Sequence, residues 1–149
     1  MTAAASILLV EDNPDDRELT IAGLRDSNIA NPIDVARDGQ EALAYFDDST
    51  RPLPALVLLD LQLPRISGLE VLRRLRAAAR TRLVPIVMLT SSNEESDRLR
   101  SYDSGANAYV CKPVEFAGFA EAARTLGLFW LVVNEPPPAA PRGDPCGSP

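Results

Sequence analysis

Short apolar runs alternate along this chain with segments in which apolar residues recur at helical spacing. Runs that suit buried strands occur at Ile7–Val10, Ile33–Val35, Ala55–Leu59, Val84–Leu89 and Ala108–Val110. Near-continuous apolar strands separated by helices are typical of a parallel sheet that is covered on both faces. The pattern therefore predicts an α/β domain in which the strands lie side by side and helices pack on each side of them.

The segments between and after these runs predict five helices. The apolar positions that mark the first four are Leu19, Ala22 and Ile29, then Ala42, Leu43 and Phe46, then Leu69, Leu72 and Leu75, and finally, more weakly, Leu99 and Tyr102. A long last helix is predicted from about residue 115 to residue 133. Such units in a chain of 149 residues suit a flavodoxin-like, doubly wound, five-stranded parallel sheet with strand order 2-1-3-4-5.

The C-terminal end of the chain differs in composition from the rest. Residues 135–149 are rich in proline, which has no backbone N–H to donate and cannot continue a helix or a central strand. We therefore expect a single domain over residues 1–134, a proline-rich tail over residues 135–149, and no effector domain.

The overall charge and composition exclude several classes of function. Fifteen Lys and Arg residues against 21 Asp and Glu residues give a net charge of -6, whereas nucleic-acid binding needs a basic face. No apolar stretch is long enough to span a membrane, and the N-terminal MTAAAS lacks the basic segment of a signal peptide. With no histidine and two distant cysteines, Cys111 and Cys146, a structural zinc site is not expected. A cytoplasmic protein that binds neither nucleic acid nor membrane is predicted.

Polar side chains follow four of the five predicted strands. Glu11 and Asp12 follow the first strand, Asp60 the third, Thr90 the fourth and Lys112 the fifth. Each has a structural explanation when taken alone, because acids favour helix N-termini, Thr caps helices and Lys-Pro is common in loops. Ligands of open α/β sheets, however, bind beyond the carboxyl ends of the strands. Taken together, the residues predict one site with three carboxylates, a hydroxyl and an ammonium group.

This set of groups suits phosphoryl chemistry. Hard oxygen ligands are those that Mg²⁺ prefers, and a positioned carboxylate can act as a nucleophile that forms an aspartyl phosphate. Phosphoryl transfer then needs mainly alignment and charge neutralisation, here by the metal and one lysine. Asp60 follows the central strand of the predicted sheet and is therefore the natural nucleophile.

Four motifs make the chain similar to a known family. VEDNPDD, LLDLQLPRISG, VMLTSS and YVCKP, in this order and spacing, resemble the receiver domains of two-component response regulators of the chemotaxis-regulator type, over roughly residues 6–133. The resemblance implies that Asp60 accepts a phosphoryl group from a sensor histidine kinase. It also implies that Mg²⁺ is held by Glu11, Asp12, Asp60 and the backbone carbonyl of Gln62, directly or through water.

The same resemblance assigns the remaining polar positions. It implies that Thr90 and Lys112 contact the phosphoryl group, that the peptide before Pro113 is cis and directs the lysine into the site, and that Tyr109 is an aromatic switch. Phosphorylation would then change the partner preference of the face formed by the fourth helix, fifth strand and fifth helix. A protein that reads this face is implied but not identified by the sequence.

The predicted last helix ends in LGLFWLVV, which suggests an interface. Leu128, Leu131 and Val132 project away from the face that can pack on the sheet, and exposed apolar residues in a cluster are typical of a contact with another chain. We expect a symmetric homodimer, unless the helix end bends and buries these residues. This ending and the proline-rich tail also resemble the single-domain regulators that are paired with bacterial phytochromes.

Two other readings of the site are open. A phosphorylation-independent scaffold would not need the Asp60, Thr90 and Lys112 set. A phosphatase with an aspartyl nucleophile, of the haloacid dehalogenase type, would carry a second acid two residues after the nucleophile, where this chain has Gln62. A signalling protein is therefore preferred to an enzyme.

Overall fold

The computed structural model describes residues 5–26, 29–91 and 95–112. Over these residues strands and helices alternate, as the apolar pattern predicts. The elements in chain order are β1 (Ile7–Val10), α1 (Pro14–Asp26), β2 (Ile33–Ala36), α2 (Gly39–Asp47), β3 (Leu56–Asp60), α3 (Gly68–Ala77), β4 (Ile86–Thr90), α4 (Glu95–Asp103) and β5 (Ala108–Cys111). None of these described helices is long and apolar enough to cross a membrane.

The five strands form one parallel sheet in the order β2-β1-β3-β4-β5. This confirms the predicted fold class and strand order. All residues of β1, β3 and β4 are buried, which explains why these strands are nearly continuous apolar runs in the sequence. Edge strand β2 is only partly buried.

Successive side chains of the strands point to opposite faces and build two apolar clusters. One face of the sheet packs against α2 and α3 through Ala42, Phe46, Leu69, Leu72 and Leu75. On the other face, Leu24 of α1 and Ile29 pack against the alternate residues of the central strands. Burial of each such side chain contributes roughly 1.5–3 kcal/mol. Helices therefore cover both faces, as expected for a doubly wound sheet.

The apolar residues predicted to face the core are correct for α2 and α3 but wrong for α1 and α4. Leu19 is 59% exposed, and Leu99 and Tyr102 are 61% and 46% exposed. Ala22 is also exposed, and Ile29 is buried but lies beyond the end of α1. The buried positions are instead Thr20 and Leu24 in α1 and Asp97 and Ser101 in α4.

Small polar residues can take buried helical positions because their hydrogen bonds are made locally. The Ser101 hydroxyl donates to the Asp97 carbonyl oxygen over 2.9 Å, and Arg100 Nη2 donates to Asp97 Oδ1 over 2.6 Å. The core-facing side of α4 is thus polar, and its apolar side chains lie in solvent. Hydrophobic periodicity alone could not reveal this orientation.

Candidate functional site

The strand register brings the predicted polar residues to one edge of the sheet. Val10 of β1 lies opposite Leu59, and Asp60 of β3 lies opposite Leu89 of β4. Glu11 and Thr90, each one residue further along its strand, therefore flank Asp60. The amide of Lys112 donates to the Thr90 carbonyl over 2.8 Å, which places the lysine at the same edge.

The turn after β1 is fixed by the residues that begin α1. Pro14 is the first residue of the helix, where its missing N–H costs nothing. The Asn13 side chain accepts from the amide of Asp16 over 3.0 Å, as an N-cap does. The Asn13 amide in turn donates to Glu11 Oε2 over 3.2 Å, and Arg17 Nη1 donates to the carbonyl of Glu11 over 3.0 Å and to that of Asp12 over 3.3 Å. The acidic turn is therefore held in place by its own helix start.

Three carboxylates meet where β1 and β3 end. One oxygen each from Glu11, Asp12 and Asp60 lies within 4.8 Å of the others. Glu11 is fully buried and Asp60 is 4% exposed, whereas Asp12 faces solvent. Carboxylate oxygens at this separation, with one side open to water, fit a hard divalent cation that keeps several waters. The donor set therefore suits Mg²⁺.

The crowding of charge changes the proton affinity of Asp60. Burial, then hydrogen bonding with Glu11 and the negative charge of Glu11, raise the pKa of Asp60 to about 7. The Gln62 amide, 3.2 Å from Asp60 Oδ1, and the ammonium group of Lys112 oppose this rise. A bound cation would favour the ionised carboxylate, because an opposite charge nearby lowers the pKa of an acid. The site is thus arranged so that a cation would stabilise the ionised form of Asp60.

Lys112 is shared among three acids. Its Nζ lies 2.8 Å from Glu11 Oε1, 2.9 Å from Asp16 Oδ2 and 3.5 Å from Asp60 Oδ2. Burial disfavours the ammonium form, but the hydrogen bonds to Glu11 and Asp16 and the charges of Asp60 and Glu11 outweigh burial and raise the pKa of Lys112. Lys112 therefore stays charged and faces Asp60.

The loop from β3 to α3 is tightly packed behind Asp60. A Cβ atom at Gly68 would overlap the carbonyl oxygen of Asp60, so only glycine allows this approach. Arg65, with a φ of 65°, takes a left-handed conformation and its Nη2 lies 2.7 Å from Oδ2 of Asp38, which caps α2. Gln62, which follows Asp60, is exposed at the start of this loop. The loop therefore has a defined position against two helix starts.

Thr90 and Tyr109 lie on the same face of neighbouring strands. Met88 is opposite Tyr109 and Thr90 is opposite Cys111, so the threonine and the tyrosine are two positions apart in register. Thr90 is 1% exposed, whereas Tyr109 is half-buried against the α2–α3 side of the core. The Arg98 guanidinium of α4 lies 5.5 Å from the centre of the Tyr109 ring. A change at Thr90 could therefore reach α4 through Tyr109.

The structure brings together Glu11, Asp12, Asp60, Thr90 and Lys112, with Gln62 and Tyr109 beside them. Four other predicted positions, Pro113, Leu128, Leu131 and Val132, lie outside the described residues, as do the last helix, the boundary at residue 134 and the tail.

Sequence reasoning missed two residues that contact the site, Asp16 and Arg17. Asp16 could have been predicted from the sequence. It is the third residue after Asn13, which precedes a proline that can begin a helix, so it lies in the first helical turn, next to the strand ends.

Comparison with known proteins shows the class to which this site belongs. The model of the response regulator receiver domain matches residues 7–124, and the chain therefore belongs to that family of signalling domains. The bacteriophytochrome response regulator AtBRR has a similar structure, with 49% identity and a TM-score of 0.80 over 90% of this chain and 100% of that chain. The bacteriophytochrome response regulator RtBRR shows 50% identity and a TM-score of 0.77, covering 91% of this chain and 85% of its own.

A third similar protein is the response regulator Rcp1 of Synechocystis sp. (strain ATCC 27184 / PCC 6803 / Kazusa). It is 34% identical over 129 residues, which cover 84% of this chain and 88% of Rcp1. A crystal structure of the Mn²⁺-bound form of Rcp1 has a TM-score of 0.69, 33% identity and coverage of 90% of this chain and 99% of that chain. The receiver resemblance drawn from the four motifs is thus confirmed, together with the narrower similarity to phytochrome response regulators.

Proposed function

We propose that this protein is a phosphoryl-accepting response regulator in which Asp60 takes a phosphoryl group from the phosphohistidine of a sensor histidine kinase. The observation that carries the proposal is the position of Asp60: a buried carboxylate that lies with two other acids inside 4.8 Å and has a charged lysine 3.5 Å away. Receiver-domain membership supports a signalling role of this kind.

In the proposed reaction, a carboxylate oxygen of Asp60 forms a bond to phosphorus while the P–N bond to the kinase histidine breaks. Glu11, Asp12, Asp60 and the backbone carbonyl of Gln62 would hold Mg²⁺, which would neutralise the developing negative charge. The Mn²⁺-bound form of Rcp1 supports the binding of a divalent cation by a protein of this kind. Lys112 would turn from Asp60 to a phosphoryl oxygen, and Thr90 would donate its hydroxyl to another. A cis peptide before Pro113 would direct the lysine.

Transfer to Asp60 can be tested without the kinase. The protein is incubated with Mg²⁺ and acetyl phosphate, and its intact mass is measured beside Asp60→Asn and Asp15→Asn. We expect one added phosphoryl group on the wild type and on Asp15→Asn, an acid of the same edge with no contact to Lys112, and none on Asp60→Asn. Absence of an adduct together with failure to bind beryllofluoride would contradict the proposal and favour a phosphorylation-independent scaffold. Rapid turnover of small phosphate esters would favour a phosphatase instead.

We further propose that Tyr109 transmits the state of Thr90 to α4. The two side chains share a face of the sheet, and Arg98 of α4 lies over the tyrosine ring. Binding of beryllofluoride would draw Thr90 inward and open space for Tyr109, which is a population shift between two states. Chemical shifts of α4 amides that respond to beryllofluoride in the wild type should not respond in Tyr109→Ala. An unchanged response in this variant would remove Tyr109 from the switch.

The kinase partner is proposed to be a bacterial phytochrome. The similar structures of AtBRR and RtBRR, both bacteriophytochrome response regulators at about half identity, support this partner. Phosphotransfer from the autophosphorylated kinase should be fast with a phytochrome kinase and slow with an unrelated histidine kinase. Equal rates with both would contradict the pairing.

A homodimer through the face formed by α4, β5 and the predicted last helix is also proposed. Leu99 and Tyr102 of α4 are exposed, and the sequence adds Leu128, Leu131 and Val132 to the same expected face. Sedimentation at tens of micromolar should show a dimer that Leu131→Glu disrupts. Leu83→Glu is a matched control, because Leu83 is 78% exposed but lies in the loop before β4 and belongs to none of the elements of this face. A monomeric wild type would contradict the dimer.

A further inference from the structure

Lys112 contacts one acid, Asp16, that is not among the three proposed metal-binding carboxylates of Glu11, Asp12 and Asp60, which are called the triad below. The other two acids that contact the ammonium group, Glu11 and Asp60, are both in the triad. A divalent cation and an ammonium group would therefore compete for the same two carboxylates, those of Glu11 and Asp60. Of the contacts that Lys112 makes with the described residues, only the 2.9 Å contact with Asp16 would remain fully available once a cation was bound.

We propose that Asp16 is a positioning residue that holds the Lys112 ammonium group beside the metal position, so that Glu11 and Asp60 are free to bind the cation. The inference rests on the divalent-cation site of the proposed function. It concerns a contact between residues that are 96 positions apart in the sequence.

Exposure and geometry show why this ion pair differs from an ordinary surface pair. Exposed pairs are screened by water and contribute little. The side chains of Lys112 and Glu11, however, are only 12% and 1% exposed. The Asp16 side chain is 39% exposed and contacts the ammonium group from the first turn of α1. Among the residues that the structure describes, a Lys112 ammonium group that lost Asp16 would keep only Glu11 and Asp60 as partners, and it would remain on these two carboxylates.

The position of Asp16 is fixed by its own backbone. Its amide donates to the Asn13 side chain over 3.0 Å, and α1 begins at the intervening Pro14. An acid in the first turn also interacts favourably with the helix dipole, which is the purely structural role that Asp16 could have. Asp15 lies in the same turn and is exposed. Its side chain forms no hydrogen bond or ion pair with the residues that the structure describes. Asp15→Asn therefore removes the same charge from the same turn without touching Lys112.

Metal affinity separates the two roles. Mn²⁺ is titrated into each metal-free variant, and the free ion is followed by its EPR signal. We expect Asp16→Asn to weaken Mn²⁺ binding about tenfold, which is typical when a residue behind the metal ligands is lost. Asp15→Asn should change the affinity by about twofold or less, because an exposed charge is screened. Asp16→Glu should restore most of the affinity. Thermal unfolding of each variant checks that it is folded.

The Lys112→Met background provides the decisive comparison. If Asp16 acts by holding the lysine, Asp16→Asn should have little more effect than Asp15→Asn when the lysine is absent. A tenfold loss that persists in Lys112→Met would show that Asp16 acts on the cation through space, and it would overturn the inference. Equal affinities of Asp16→Asn and Asp15→Asn in the wild-type background would overturn it as well. A wild type that binds no Mn²⁺ would overturn both the inference and the cation site, whereas the first two outcomes leave that site intact.

Discussion

The charged groups at the amino ends of the strands (the amino edge of the sheet) are paired differently from those at the carboxyl ends (the carboxyl edge). At the amino edge, arginines at helix ends donate to the carbonyl oxygens of the loops that lead into the strands. Arg76 Nε donates to Gly105 over 2.8 Å, and its Nη1 donates to Val84 over 2.7 Å and to Arg82 over 3.0 Å. At the carboxyl edge, three carboxylates lie within 4.8 Å of one another. One edge satisfies its polar groups, and the other concentrates like charges.

The same use of arginine recurs around the amino edge. Arg25 Nη1 donates to the carbonyls of Ile29 and Asn31 after α1, and Arg80 donates to those of Phe46 and Arg51 before β3. Loop carbonyls there have protein partners and do not depend on a ligand. The carboxyl edge instead keeps unfavourable contacts that a cation and a phosphoryl group would relieve. The comparison suggests a test: if the carboxyl edge is the proposed site, substitutions there should affect stability differently from substitutions at the amino edge.

Removing a charge at the amino edge should therefore have the largest cost. Arg76→Ala would remove the side-chain donor from three carbonyls and one of the two donors from Asn107 Oδ1, which keeps the Ile86 amide, and we expect the free energy of unfolding to fall by about 3 kcal/mol. Arg73→Ala in the same helix is the control, because the one contact of Arg73 with the described residues is an exposed 3.9 Å pair with Glu70, so its loss should cost about 0.5 kcal/mol or less. Urea unfolding measures both. Equal losses would mean that the arginine contacts at this edge carry no special stability.

Most of the fold could be predicted from the sequence because buried parallel strands leave a plain apolar signal. Each predicted strand matches an observed one within two residues, and the observed strand order is that of the predicted flavodoxin-like type. The orientation of α1 and α4 could not be predicted in this way. Leu19 of α1 and Leu99 of α4 are exposed although Leu24 of α1 is buried, and periodicity cannot distinguish a core from a contact surface.

The place of the site was predictable for a different reason. In a parallel sheet the residues that follow the strands must meet at one edge, so Glu11, Asp60 and Lys112 could be grouped without coordinates. The contact between Asp16 and Lys112 depends on where α1 begins and on how a long side chain lies across the edge. Neither is encoded in the spacing of residues along the chain, and the roles of the grouped residues remain predictions.

Removing a charge at the carboxyl edge should instead increase the free energy of unfolding. In the metal-free protein, the pKa of Asp60 is raised from 3.8 to about 7, so its contribution to stability is fully present below 3.8 and is lost as the pH rises through about 7. We expect Asp60→Asn in EDTA to stabilise the fold by about 2 kcal/mol at pH 8 and by less than half as much at pH 5, as measured by urea unfolding. A destabilised variant at pH 8 would mean that the three acids do not repel as their positions suggest.

Asp38 also lies near the carboxyl edge, but it is outside the triad and its carboxylate has hydrogen-bond partners. We expect the smallest change in stability from its substitution. Its side chain accepts from the Glu41 amide over 2.8 Å and from Arg65 over 2.7 Å, and the pKa of Asp38 is lowered, first by the Glu41 amide. Its contribution to stability is present above 3.8 and is lost as the pH falls below that value. Asp38→Ala should therefore cost about 1 kcal/mol at pH 7 and progressively less in acid. The two aspartates would then show opposite pH dependences, and a gain in stability for Asp38→Ala would imply that the whole edge, and not the triad alone, is destabilised by its charge.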